Sequence, residues 1–179
     1  LSETDLTGIR YICGFTGSAA SCLITQDDSY FISDGRYDVQ SGEQVQNMER
    51  FIDFGPHISI VAKNNLIQNG LNLAFEGDHT SVSQYRAMTD TFPKVNWKST
   101  SMLMENLQAV KDESELDAIR TAVEITDAIY AEILPMLKPG TTEKEVANQM
   151  VLRYQQESDG EAYSPIVAGG SNGALPHAV

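Results

Sequence analysis

The sequence predicts a mixed α/β chain in two parts, on three observations. Short β-type runs alternate with turn clusters through the first hundred residues, a helical apolar period takes over at Lys111, and two capping-box patterns open consecutive helices beyond it. The boundary falls between Asn106 and Lys111, dividing a sheet-forming part from a helix-led one.

In the first part, Ile9 to Ile12 reads as a strand, and Cys22 to Thr25 with Tyr30 to Ser33 reads as a hairpin around Gln26-Asp27-Asp28-Ser29. Arg36 to Val45 is expected to be helical, Ile58 to Ala62 and Leu71 to Phe75 to be strands, and Ser81 to cap a helix through Tyr85 and Met88. In the second part, Asp112 and Glu115 open a helix whose apolar stripe is Leu116, Ile119, Val123, Ile129, Ile133 and Leu137. Pro135 distorts its last turn and Pro139-Gly140 stops it. Thr142 and Glu145 then open a second helix carrying Val146, Ala147, Met150, Val151 and Tyr154, which completes an αα-hairpin. Ser158-Asp159-Gly160 ends it. Ala162 to Val167 reads as a short strand in which Pro165 suits an edge, and a Gly-rich loop, Ala168 to Ala174, leads to Leu175-Pro176-His177.

With 41% hydrophobic and 21% charged residues over 179 positions, the composition is that of a globular protein with a sizeable core. Twelve basic against 25 acidic residues give a net charge of −13, spread along the chain, which repels phosphate backbones and excludes nucleic acid as a natural partner. No run approaches the roughly 18 apolar residues that span a bilayer, and no basic-then-apolar leader opens the sequence, so the expected location is the cytoplasm, with no membrane partner. Cys13 and Cys22 lack the spacing of a redox pair and read as reduced packing residues. A start at Leu1 and an end just past a Gly-rich loop read as a chain cut at both ends.

Few residues suggest chemistry. His57, His79 and His177 are isolated in sequence, whereas metal hydrolysis needs converging carboxylates and imidazoles. Ser18 fails the nucleophile-elbow test, and neither Gly14-Phe15-Thr16-Gly17 nor Gly169-Gly170 has phosphate-loop spacing. Arg36, in Asp34-Gly35-Arg36-Tyr37, either clamps a substrate carboxylate or makes a structural ion pair or subunit contact. His177 is either an ordinary surface residue or the best single catalytic candidate.

Five blocks taken together are more specific: IRYICGFTGSAA from Ile9, SDGRYDVQ from Ser33, KDESELDAIR from Lys111, PGTTEKEVA from Pro139 and PIVAGGSNGALPHA from Pro165. In that order they resemble the Xaa-Pro aminopeptidase (aminopeptidase P) family. The resemblance implies a creatinase-like N-terminal domain over residues 1–107, lacking its first helix and strand. It implies that residues 108–179 are the opening, two helices and a strand, of a pita-bread α+β metallopeptidase domain. It implies an intact enzyme, a homodimer, that releases the residue preceding proline from proline-containing peptides with two divalent metal ions, manganese above all. His177 matches the family histidine that contacts substrate and assists proton transfer, so it is the implied catalytic and substrate-binding residue, with Arg36 a second substrate-binding candidate.

The family's metal ligands, two Asp, one His and two Glu, all follow the position of His177. The resemblance therefore implies no metal site in this chain, and an inactive chain of 179 residues. Departures at Ala162-Tyr163-Ser164 and Gly169-Gly170-Ser171 bear on pocket shape. Prolidase, metal-free creatine hydrolysis and a non-catalytic pita-bread binding protein are the competing readings. The Gly14 to Ala20 run and the Asp34 to Tyr37 turn favour aminopeptidase P over prolidase and creatine hydrolysis. The residues beyond Val179 decide whether the scaffold is catalytic.

Overall fold

The computed structural model describes residues 2–3 and 5–178, with side chains from Asp5 onward. The chain divides into two units, Leu1–Val110 and Lys111–Val179.

The first unit is built on a six-stranded mixed sheet. Its strands are β1 (Ser2–Glu3), β2 (Ala20–Ile24), β3 (Ser29–Ser33), β4 (Glu49–Ile52), β5 (Asn72–Glu76) and β6 (Asn96–Thr100), in the spatial order β4-β3-β2-β1-β5-β6. β2 and β3 form the expected antiparallel hairpin, with Cys22 opposite Phe31, while β3–β4, β1–β5 and β5–β6 run parallel. Side chains alternate across β2 and β3, so two apolar clusters form on opposite faces. One gathers Ile9, Cys13, Phe15, Ala20, Cys22, Phe31 and Val45; the other gathers Leu23, Ile32, Ile60, Val61, Ile67, Leu73 and Val95. Both cysteines lie within the first cluster as thiols, not joined in a disulfide. The Cys13 thiol is lowered to about 7, chiefly by its hydrogen bond with Cys22, with burial opposing.

Two expected strands are helices. Ile9 to Ile12 lies within α1 (Leu6–Cys13), because Asp5 caps the Gly8 N–H at 3.0 Å and Gly14 closes the C-terminus at φ 76°. Ile9 and Cys13, four apart, then share the buried face. Here the caps override β-branched propensity. Ile58 to Ala62 lies within α3 (His57–Lys63), which follows Pro56 and buries Ile60 and Val61. The helical expectation for Arg36 to Val45 is met by a 3-10 turn at Gly35–Tyr37 followed by α2 (Asp38–Gln44). Ser81 caps α4 (Val82–Thr91) with a full capping box through Gln84. β4, β6 and a short helix α5 (Leu103–Ala109) complete the unit.

The second unit is an αα-hairpin with an extended tail. α6 (Glu113–Ile133) and α7 (Glu143–Glu157) both start with complete capping boxes, through Asp112/Glu115 and Thr142/Glu145. Pro135 sits in a 3-10 turn, Leu134–Met136, between them. Ile129, Ile133 and Val146 form the buried core, with Ile125, Met136, Met150, Tyr154 and Val167 packed around it. Ile119 and Val123 of the expected apolar stripe are exposed. Arg153 joins the helices through two bonds to Glu132, at 2.8 and 3.0 Å.

The segment Ala162 to Val167 is not a strand. It runs without secondary structure, since Pro165 has no N–H to donate and no strand of this unit offers an edge among the described residues. Val167 still anchors it to the hairpin core.

Candidate functional site

The Gly14 to Tyr37 region is a packing device. Phe15 enters the core edge-on to Phe31 and Tyr37, with centroids 4.9 and 5.3 Å away. A Cβ on Gly17 would come within 2.2 Å of Phe15 Cζ and 2.8 Å of Tyr37 Cε1, so any side chain here would have to push the ring pair aside. α2 ties the loop from outside: the Thr16 N–H donates to Gln44 at 3.0 Å, and Gln40 donates to the Thr16 hydroxyl at 3.0 Å. Ser18 Oγ and the Tyr37 hydroxyl lie 2.6 Å apart.

Arg36 projects from the 3-10 turn after β3. Its side chain is 69% exposed yet fixed, because Nε and Nη2 donate to the two oxygens of Asp34 at 2.8 and 2.7 Å. Asp34 also accepts from the Arg36 backbone N–H at 3.0 Å, and the guanidinium holds its carboxyl down at about 2. Arg36 is thus a preorganised cation on the surface of an acidic chain, with one edge of the guanidinium turned away from Asp34.

The histidines occupy three different settings. His57 Nδ1 lies 2.8 Å from Ser21 Oγ, and burial pushes its pKa down. His79 stands between Asp5 at 3.6 Å and Glu105 at 3.7 Å. Burial opposes its protonation, but the surrounding carboxylates outweigh that and raise its pKa. His177 is exposed, in the loop that ends the second unit.

That loop is tethered at its root. The Glu143 carboxylate, in the first turn of α7, accepts from the Gly169 N–H at 2.6 Å and from Asn172 Nδ2 at 3.1 Å on each oxygen. Asn172 and Leu175 then donate backbone bonds to Gly169 and Asn172 through the 3-10 turn Gly170–Ala174. Reading the sequence did not single out Glu143. Its partners lie 26 and 29 residues away, and only Glu145 carries a local signal, the capping box.

Among the described residues, no group of three or more His, Cys, Asp or Glu side chains is placed to hold a metal ion. Nor is any helix among them long and apolar enough to cross a membrane.

Residues 4–110 match the creatinase/prolidase N-terminal domain, and residues 117–179 match metallopeptidase family M24. The chain belongs to the creatinase/prolidase family, as a creatinase-like domain followed by the start of an M24 domain. It is 30% identical over 178 residues to the Bacillus subtilis protein named "Uncharacterized peptidase YqhT", covering 98% of this chain and 50% of that one. The structure superposes on an Xaa-Pro dipeptidase from Bacillus anthracis with a TM-score of 0.88 at 34% identity, over 99% of this chain and 50% of that one. For an X-Pro aminopeptidase from Thermotoga maritima the TM-score is 0.87 at 28% identity, over 99% and 53%. The chain spans about half the length of the curated relatives it matches.

Membership of M24 implies divalent metal ions. The residues described here do not fit a two-metal centre: His57 and His79 are committed to partners in the first unit, and no carboxylate cluster gathers about His177.

Proposed function

We propose that the full-length protein containing this chain is a metal-dependent aminopeptidase that releases the N-terminal residue from peptides with proline in second position. The observation that carries the reading is the likeness over 99% of the chain to proline-specific peptidases, with both domain matches in order. Its natural setting is the cytoplasm, its assembly a homodimer, and its metal manganese.

Within that enzyme, His177 is the catalytic residue of this chain. An exposed imidazole on a tethered loop can contact the substrate carbonyl region and pass a proton during bond cleavage. Arg36, with its carboxylate partner already in place, presents a fixed guanidinium edge to a peptide carboxylate. Residues 1–179 by themselves are expected to be inactive, because the resemblance puts the family's metal ligands after the position of His177.

A second reading, an Xaa-Pro dipeptidase, has a specific observation behind it: the Bacillus anthracis dipeptidase matches at 34% identity against 28% for the aminopeptidase. Comparing kcat/KM of the full-length protein for an Xaa-Pro dipeptide and an Xaa-Pro-Xaa tripeptide separates them. Aminopeptidase activity predicts preference for the tripeptide; a preference for the dipeptide overturns it.

A further inference from the structure

We infer that Glu143 is a positioning residue, whose carboxylate fixes the loop that presents His177; the inference rests on His177 being the catalytic residue proposed above. Two anchors lead up to that loop. Val167 is packed into the α6–α7 core, which settles the incoming chain. Two residues later the Gly169 N–H reaches Glu143, and Asn172 Nδ2 donates to both carboxylate oxygens. A carboxylate that accepts three hydrogen bonds from two donor groups is a fixed point, because each bond is charge-assisted and Asn172 Nδ2 reaches both oxygens.

The fixed point matters because, among the described residues, the segment has little else to hold it. Gly170 has φ +56°, a Cβ at that position would meet nothing within 4 Å, and Tyr163, Ile166 and Leu175 are all exposed. Without Glu143 the turn Gly170–Ala174 keeps its own backbone bonds but loses its link to α7. His177, three residues beyond Ala174, then samples a wider range of positions. Glu143 is not needed to start the helix, since the N-cap bonds of α7 come from Thr142 and Glu145. Removing it should therefore loosen the loop without unfolding the hairpin.

The test uses the full-length protein with Glu143→Ala and Glu143→Gln, and Asn172→Ala as a second approach to the same link. Histidine-labelled NMR spectra, assigned with His177→Ala, report the His177 ring directly. In Glu143→Ala and Asn172→Ala the His177 signals shift or broaden while those of His57 and His79 stay in place. Glu143→Gln, which keeps one acceptor for Gly169, lies between. On an Xaa-Pro-Xaa tripeptide, Glu143→Ala lowers kcat by about 10- to 100-fold with KM changed less, the scale of a small misplacement of a catalytic group. Glu143→Ala/His177→Ala is no slower than His177→Ala. Unchanged His177 signals in both variants overturn the inference whatever the activity. An unmutated protein that cleaves no Xaa-Pro bond overturns the proposed function instead, and the spectra still decide the positioning role.

Discussion

The two units bury their apolar residues very differently. In the first, a sheet between two layers of helices supports two clusters of seven buried residues each, whereas the second has three, Ile129, Ile133 and Val146, among the described residues. The long helix α6 leaves Ile119 and Val123 about half exposed, and a groove of about 820 Å³ runs past Ala122, Ile125, Met150 and Tyr154. The difference separates two kinds of sequence signal. The conspicuous Gly14 to Tyr37 blocks specify packing in a closed core, and the plainer Gly-rich tail of the second unit carries the candidate catalytic residue.

Truncating the core should bring out the contrast between the units most clearly. Phe31→Ala removes a fully buried ring in contact with Phe15 and is expected to cost about 3–5 kcal/mol, read as a fall in urea midpoint. Val123→Ala on the half-exposed face of α6 is expected to change stability by less than about 0.5 kcal/mol. Equal losses at the two sites would remove the contrast. Next in size is Gly17→Ala, which drives a methyl into Phe15 and Tyr37 and should cost about 1–3 kcal/mol by overpacking. A neutral result would show that the ring pair can move aside.

The smallest effects are electrostatic, and they have opposite signs within the first unit. His79 has a raised pKa, so its contribution is fully present below its unfolded value and is lost as pH rises through the folded one. His57 has a lowered pKa, so its contribution is present above the unfolded value and is lost as pH falls through the folded one. His79→Gln should therefore reduce stability at acid pH, whereas His57→Gln should remove a loss seen there. Urea denaturation at several pH values between about 5 and 8 checks both, since an unperturbed histidine titrates near 6.5. Parallel pH profiles for the two variants would contradict the assignments. In the same unit, the Asp34 carboxyl followed by NMR should titrate near 2 and return toward the ordinary carboxylate range in Arg36→Ala.

How much of this was legible in the sequence depended on whether the signal was local. The capping boxes at Asp112 and Thr142 and the cap at Ser81 lie within four residues, and each is present as read; the Gln84 half of a box at Ser81 was not read. The hairpin at Cys22 to Ser33 is equally local. Ile9 to Ile12 and Ile58 to Ala62 misled because β-branched residues at short spacing satisfy either period, and the deciding features, the Asp5 cap, Gly14 and Pro56, lie outside the runs. β4 and β6 have too few buried side chains to show a pattern. At the candidate site, His177 was legible as a residue. The Glu143 link that anchors its loop was not, because it joins groups 26 residues apart.

The claim that the chemistry of this chain resides at His177 is most directly tested by one substitution in the full-length enzyme. His177→Ala, at the metal content of the unmutated protein, should lower kcat on an Xaa-Pro-Xaa tripeptide by about 10²- to 10⁴-fold, the range of a lost proton-transfer group. A kcat within about twofold of the unmutated enzyme, well short of that range, would contradict it.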